Sequence, residues 1–159
     1  METAQIESLH KVFTDYLKKK KQRLTTEREA IFNKVCNFME LFTLEVIWQE
    51  LDKENFHVSR ASVYNTIKLM MDAKIVVCHQ FTNSLFKYEL SCVSEGFIYI
   101  ICNECETVSK LQDEKLTRYC AAVKTPKFTR EYYALYFHGL CSKCKYRLAT
   151  AHLRQNDNK

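Results

Sequence analysis

The sequence predicts a protein of the α+β class with two domains, one helical and closed by a two-stranded hairpin, the other a small α/β unit. Apolar residues recur at helical spacing through the first half, and nearly continuous apolar runs typical of buried strands occur in the second half. Two Cys-x-x-Cys pairs, separated by 35 residues, also lie in the second half. The 159 residues include only two glycines and one proline, which favours long regular elements.

Four helices are predicted in the first half. They span about residues 6–20, 25–38, 43–53 and 59–73. Thr25 or Thr26 is a suitable N-cap for the second helix, and Ser59 is a suitable N-cap for the fourth. The apolar stripe that we expect to face inward in the fourth helix consists of Val63, Ile67, Met70 and Met71. The opposite sector of that helix is therefore expected to be exposed.

Two strands follow the fourth helix and are expected to pair. Strands over 75–81 and 85–90 are joined at 82–84, whose residue types suit a tight turn. Three packed helices closed by such a hairpin form a winged helix-turn-helix, which places its last helix in the DNA major groove. The alternative is an ordinary surface helix on a helical bundle.

Local clusters of basic and hydrogen-bonding residues, and not the net charge, indicate DNA binding. Residues 1–91 carry 13 Lys and Arg against 12 Asp and Glu, so the balance in this half is neutral. A basic run over 18–28 is opposed within that span by Glu27 alone, and the exposed sector of the fourth helix is basic or hydrogen-bonding. The candidate DNA contacts are Lys18, Lys19, Arg23, Thr25, Arg60, Ser62, Tyr64, Asn65 and Lys68.

The two Cys-x-x-Cys pairs predict a structural zinc site. Each turn aims two sulfurs at a common point, and two such turns brought together supply the four-thiolate tetrahedron that Zn²⁺ prefers. The predicted ligands, for one Zn²⁺ per chain, are Cys102, Cys105, Cys141 and Cys144. Two alternatives remain, a pair of disulfides or one redox Cys-x-x-Cys beside an unrelated pair. The other cysteines are expected to be small buried side chains, and they are Cys36, Cys78, Cys92 and Cys120.

The zinc ligands frame a small α/β unit that is expected to pair with a second copy. The predicted elements are strands at about 97–102, 107–111 and 128–137 and helices at about 113–123 and 142–153. The last strand carries more aromatic surface than one small layer hides, so a homodimer is predicted. A short polar stretch at 91–95 is the expected hinge, which gives a winged-helix domain over 1–90 and an α/β dimerisation domain over 96–159.

The sequence also limits the location and the class of function. No apolar run reaches the roughly 18 residues of a membrane span, and the charged N-terminus does not resemble a secretory signal, so a cytoplasmic protein without membrane contact is expected. A reducing compartment favours metal-bound and free thiols over a disulfide framework. The sequence has no glycine-rich phosphate loop, no nucleophile elbow and no deaminase-type His-x-Glu beside the cysteine pairs, so an enzyme is not expected.

Several motifs occur in an order that resembles the ferric uptake regulator (Fur) family. They are RASVYNTI at 60–67, RLTTER at 23–28, YEL at 88–90 and the two Cys-x-x-Cys pairs. The resemblance covers about residues 18–146 and implies a winged-helix DNA-binding domain, an α/β dimerisation domain and a dimeric, metal-responsive transcriptional regulator. It also implies that Tyr64 contacts bases and that Lys19 enters the minor groove. Asn65 stands where the family usually has an arginine.

The chain departs from the family at the usual regulatory metal site. The hairpin glutamate is present as Glu89, but Leu41 or a neighbour takes the place of one histidine, residues 95–99 replace a His-rich run, and Tyr133 replaces a further histidine. Apolar and aromatic side chains do not bind Fe²⁺ or Zn²⁺. The regulatory site is therefore expected to be reduced or absent, and DNA affinity is expected to be nearly independent of added Fe²⁺.

The groups left for sensing a signal are few. The candidates are Glu89, Cys92, His79 and His138, as ligands of haem iron or another metal or, for the cysteine, as an oxidisable thiol. Haem, a second metal, a redox signal and constitutive DNA binding all remain open. The expected function is a dimeric transcriptional regulator, a repressor of metal, iron or haem homeostasis genes, that binds an inverted repeat in double-stranded DNA. The alternative is a zinc-stabilised protein-interaction module of the same fold without specific DNA binding.

Overall fold

The structure, a computed structural model, describes residues 3–82, 85–94, 96–130 and 132–156, and it divides into two compact units. The N-terminal unit consists of Met1–Gln80 and Phe86–Ser94. The C-terminal unit consists of Phe81–Leu85 and Glu95–Lys159. None of the described helices is long and apolar enough to cross a membrane.

Side-chain caps start three of the helices of the N-terminal unit. Its helices are α1 (Thr3–Lys19), α2 (Thr26–Asn37), α3 (Leu44–Lys53), α4 (Arg60–Asp72) and the short α5 (Ser91–Ser94). The hydroxyl oxygens of Thr25, Thr43 and Ser59 accept the N–H groups of Arg28, Val46 and Ser62 at 3.3, 3.3 and 3.0 Å. Each cap satisfies a donor that the first turn leaves open. The predicted N-caps Thr25 and Ser59 are confirmed.

One apolar core holds the N-terminal unit together. Phe13 of α1 stacks on Phe32 of α2, with ring centroids 5.4 Å apart and an interplanar angle of 9°. Further buried residues from α2, α3 and α4 complete the core, among them Ile31, Val35, Ile47, Leu51, Val63, Ile67 and Met70. Burying one side chain of this size contributes about 1.5–3 kcal/mol. In α4 the buried stripe includes Thr66 and leaves Met71 half-buried, a shift of the stripe from the predicted set.

A hairpin closes the N-terminal unit. Strands β1 (Val76–Gln80) and β2 (Phe86–Leu90) are antiparallel, with Val77 opposite Glu89 and Cys78 opposite Tyr88. Tyr88 also exchanges both backbone hydrogen bonds with Phe42, at 2.8 and 2.9 Å, which ties the hairpin to the segment before α3. The strands are shorter at their ends than the sequence predicts.

The C-terminal unit is a three-stranded mixed sheet with two helices. Strand β3 (Phe97–Cys102) lies between β4 (Val108–Gln112), which is antiparallel to it, and β5 (Leu135–Gly139), which is parallel to it. Helix α6 (Glu114–Ala122) follows β4, and α7 (Ser142–Asn156) follows β5. The nearly continuous apolar run predicts a buried β3, but Ile100 of this strand is 38% exposed.

The predicted strand over 128–137 is wrong in its first half. Within the predicted range, the described residues of 128–134 form no strand, and β5 begins at Leu135. Arg130 explains the irregular backbone, because its guanidinium donates to the Cys120 and Ala121 carbonyls at 2.8 and 3.0 Å. Both carbonyls are among the last of α6, and that of Cys120 also accepts the Val123 N–H at 3.4 Å. Arg130 therefore holds the segment as a helix cap and not as a strand.

Candidate metal centre and candidate DNA interface

Four cysteines converge at one end of the C-terminal sheet. Cys102 ends β3, Cys105 follows in the turn before β4, and Cys141 and Cys144 lie at the start of α7. Their sulfurs all lie within 4.8 Å of one another, and the Cys105 and Cys141 sulfurs are 3.8 Å apart. All four are free thiols, so the structure does not pair them as disulfides.

The spacing of the sulfurs fits zinc. Four sulfurs at about 2.3 Å from a tetrahedral Zn²⁺ are about 3.8 Å from one another, which is the separation of Cys105 and Cys141. In the described part of the chain, this is the only cluster of three or more His, Cys, Asp or Glu side chains that could hold a metal ion. The donor set therefore suits a closed structural site in which protein fills every position.

Hydrogen bonds lower the pKa of two of the four thiols, which favours the thiolate form that binds a metal cation. The backbone N–H groups of Cys141, at 3.3 Å, and of Cys105 lower the pKa of the Cys102 thiol to about 6. The Thr107 hydroxyl, 3.1 Å from the Cys105 sulfur, holds the pKa of Cys105 below its usual value. Burial raises the pKa of Cys144 to about 12, so this thiol keeps its proton at neutral pH. A bound Zn²⁺ would replace that proton and balance the thiolate charges.

The outer face of α4 presents the predicted DNA-contacting side chains. Tyr64 is 52% exposed, and Asn65 and Lys68 are also exposed, while Val63 and Ile67 of the same helix are buried. The end of α1 lies beside the end of α4, because the Tyr16 hydroxyl donates to Asp72 at 3.3 Å. Lys18 and Lys19, in the last turn of α1, and Arg23 are exposed there.

The start of α2 lies beside the first half of α4. Ser62 donates its hydroxyl proton to Glu27 at 2.8 Å, and Thr25, Arg28 and Asn65 line the same shallow cavity. Thr25 is occupied as the N-cap of α2, and Arg28 bonds Gln22 at 3.0 Å and the Arg23 carbonyl. The structure thus brings the α1 end, the α2 start and the α4 face into one unit.

Arg60 and the sensory candidates have protein partners. Arg60, at the start of α4, pairs with Glu45 of α3 at 2.8 Å, a contact between residues 15 apart that no local pattern in the sequence indicates. His79 and Glu89 are both buried, and His79 Nε2 lies 2.9 Å from a Glu89 carboxylate oxygen. His138 is exposed with its Nδ1 3.2 Å from Asn103 Oδ1.

The expectation of buried structural cysteines is correct for only one of the four. Cys36 is buried in the core, Cys120 is half-buried, and Cys78 and Cys92 are exposed. The alternation of β1 explains Cys78, because its neighbours Val77 and His79 point to the buried face. The sensory candidate Cys92 is exposed on α5.

Comparisons with known proteins identify the family of the chain. The model of the ferric uptake regulator family matches residues 19–138. The ferric uptake regulation protein of Bacillus subtilis (strain 168) is 25% identical over 128 residues, 77% of this chain and 85% of that protein. The peroxide-responsive repressor PerR of Staphylococcus aureus (strain USA300) is 23% identical over 124 residues, 77% and 82% of the two chains.

Solved structures show the same fold. The ferric uptake regulator Fur of Helicobacter pylori superposes with a TM-score of 0.66 at 18% identity, over 88% of this chain and 93% of that one. The ferric uptake regulator of Pseudomonas aeruginosa with manganese gives 0.61 at 18% identity, over 79% and 96%. The predicted α+β fold and family resemblance are confirmed, as is the expectation of a non-enzymatic function. The chain belongs to the ferric uptake regulator family, whose members are transcription regulators of metal homeostasis and not enzymes.

Proposed function

We propose that this chain is a regulator that binds an inverted-repeat DNA site as a homodimer, with one structural Zn²⁺ per chain held by the four cysteines. The observation that carries the proposal is the surface of α4. One face of this helix is anchored in the core, and the other exposes Tyr64, Asn65 and Lys68. A helix presented in this way enters the major groove in winged helix-turn-helix proteins.

The groups around α4 support two kinds of DNA contact. Tyr64 and Asn65 lie on the exposed helix face and would reach base edges. Lys18, Lys19 and Arg23, near the end of α1, would contact phosphates, which fixes the position of the protein on the duplex but carries no sequence information.

The C-terminal sheet supports a homodimer. Ile98 and Ile100 of β3 share one face with Leu111 of β4 and with Leu135 and Phe137 of β5, as the strand register requires. On this face Ile100, Leu111 and Phe137 are 38%, 44% and 49% exposed. A second copy that covers this apolar face would place two α4 helices in a two-fold arrangement.

A competition between specific and scrambled DNA tests the proposal. The zinc-loaded chain is used to select a duplex from a random pool, and its affinity for that duplex is compared with its affinity for a scrambled one. Tyr64→Ala should reduce this ratio by about tenfold, the loss of one good base contact. Lys19→Ala should weaken both duplexes and flatten the salt dependence by about 0.9 in log–log slope.

Tyr119→Ala is the matched control. Tyr119 is 71% exposed on α6 of the C-terminal unit. Its substitution removes the same side chain as Tyr64→Ala but from outside the proposed DNA interface. An unchanged ratio in Tyr64→Ala would reject base recognition by α4. That result would favour the alternative of a zinc-stabilised protein-interaction module, for which the pairing of Arg60 with Glu45 is the supporting observation.

DNA affinity should depend little on iron. Glu89 has His79 as a buried partner. Among the described residues, no third His, Cys, Asp or Glu joins this pair to form a metal-binding cluster. Fe²⁺ added without oxygen to the zinc-loaded protein should change DNA affinity by less than about tenfold, or about 1.4 kcal/mol of coupling. A larger increase that is absent in Glu89→Gln would show a working second metal site.

A further inference from the structure

Arg60, one of the predicted DNA contacts, is held against the helix that precedes α4. Its Nη2 lies 2.8 Å from Glu45 Oε1, and its guanidinium lies 4.5 Å from the centroid of the Trp48 ring. Glu45 and Trp48 are three residues apart on α3, so one face of α3 supplies both contacts. The side chains of the ion pair are 68% and 45% exposed, which leaves them open to a competing ligand.

Hydrogen bonds also hold Trp48 and Glu45, the two residues that contact Arg60, in place. Trp48 donates its indole N–H to the Val58 carbonyl at 2.9 Å, in a partly buried contact that joins α3 to the segment before α4. Gln49 also donates to Glu45 Oε1, at 3.4 Å, which holds the carboxylate in place. A guanidinium that is stacked on a ring and bonded to a carboxylate loses less freedom on binding than a free arginine, but it must first leave its carboxylate.

A DNA phosphate is the ligand that competes for this arginine. Phosphate and carboxylate offer a guanidinium the same oxygen geometry, so a phosphate competes directly with Glu45 for Arg60. The helix before the recognition helix crosses the DNA backbone in helix-turn-helix proteins. That helix is α3 here, and the Arg60 side chain packs against it from the start of α4.

On the basis of the proposed function, we infer that Glu45 and Trp48 hold Arg60 closed in the free protein and that a DNA phosphate must displace Glu45 in order to bind Arg60. We name these three residues the Arg60 latch. Because a phosphate contact carries no sequence information, the latch lowers affinity for specific and scrambled duplexes alike. Glu45 is thus a positioning residue that limits the strength of general DNA binding.

Removal of the carboxylate charge should open the latch. Glu45→Gln should raise affinity for both duplexes by about two- to fivefold, the range for loss of one exposed ion pair. The log–log salt slope should stay unchanged, because Arg60 contacts the same single phosphate in both complexes. Glu50→Gln is the control, because Glu50 lies on the same helix and pairs with Lys53 at 2.7 Å but not with Arg60.

A double-mutant cycle separates the latch from a simple loss of negative charge. Arg60→Ala should weaken DNA binding about two- to fivefold more in the Glu45→Gln background than in the wild type. Equal costs in the two backgrounds would overturn the latch. So would weaker DNA binding by Glu45→Gln alone, because the carboxylate would then be orienting Arg60 towards DNA.

Trp48 supplies an independent readout, since it is the only tryptophan in the sequence. Selected DNA should shift the wild-type emission towards that of free Arg60→Ala, and it should leave the emission of Arg60→Ala unchanged. Equal shifts in the two proteins would contradict release of Arg60.

A wild type that binds no selected duplex would contradict the proposed function and remove the competitor that the latch needs. A wild type that binds DNA but shows no coupling of residues 45 and 60 would contradict the latch alone.

Discussion

The two units of the chain bury their apolar residues to very different extents. The N-terminal unit has a continuous core in which Phe13, Phe32 and Ile47 are fully buried. In the C-terminal unit, α6 has no buried residue and the described residues of β5 are at best half-buried. Of the fourteen large hydrophobic residues exposed in the described chain, ten belong to the C-terminal unit.

This difference indicates what each unit needs in order to be stable. The N-terminal unit has enough buried surface to be held by its own packing. The C-terminal unit is small and leaves many of its aromatic side chains exposed, so under the proposed function a metal and a second copy would supply the stability that its own packing does not. The four-cysteine cluster and the exposed face of β3 and β5 are where those two contributions would enter.

Loss of the metal should have the largest effect, and it should fall on one unit. Cys102→Ser, or chelation of the wild type, should abolish cooperative unfolding of the C-terminal unit and separate the dimer, because zinc binding supplies folding free energy there. The helical signal of the N-terminal unit should persist in thermal circular dichroism. Cys120→Ser is the control and should keep its zinc, since Cys120 lies outside the cluster. A fully folded, dimeric Cys102→Ser protein would contradict the dependence on zinc.

A substitution in the N-terminal core should destabilise the N-terminal unit and leave the zinc site of the C-terminal unit intact. Phe32→Ala removes a fully buried ring that stacks on Phe13, and it should destabilise the N-terminal unit by about 3–5 kcal/mol in urea unfolding. Zinc content should not change, because the ligands belong to the other unit. Val12→Ala is the control, because Val12 of α1 in the same unit is 46% exposed, and it should cost much less. Loss of zinc in Phe32→Ala would show that the two units do not fold independently.

The dimer should be sensitive to the exposed sheet face. Phe137→Ala should weaken self-association by about 2 kcal/mol, as expected for a central aromatic contact, in sedimentation equilibrium. Tyr146→Ala should leave association unchanged, because Tyr146 is 72% exposed on α7 and lies off the sheet face. The opposite pattern would place the interface on α7.

The two units should also fail at opposite ends of the pH scale. Burial raises the pKa of Cys36 in the N-terminal unit to about 12, above the unfolded value of about 8.5. Its contribution to stability is therefore present below about pH 8.5 and is lost as pH rises towards 12, at up to about 1.4 kcal/mol per pH unit. Cys36→Ala should flatten this alkaline loss in urea unfolding, and a slope equal to the wild type would contradict burial of the thiol. The pKa of the Cys102 thiol in the C-terminal unit is lowered to about 6, so its contribution to stability is present above about pH 8.5 and is lost as the pH falls through about 6.

Local signals in the sequence predicted most of the fold. The caps at Thr25 and Ser59 and the cysteine cluster follow from residue type and spacing over a few positions, which is why these predictions hold. The start of β5 was missed because a tertiary contact decides it, the capping of α6 by Arg130. The partner of Arg60 was missed for the same reason, since Glu45 lies on another helix.

The composition of a single complex tests the central claim most directly. Native mass spectrometry of the zinc-loaded protein with its selected duplex should give two chains, two Zn²⁺ ions and one duplex, because the account requires a two-fold dimer with one structural metal in each chain. The same measurement on Cys102→Ser should give no such complex. One chain per duplex, a stable complex without zinc, or no complex with any selected duplex would contradict the account.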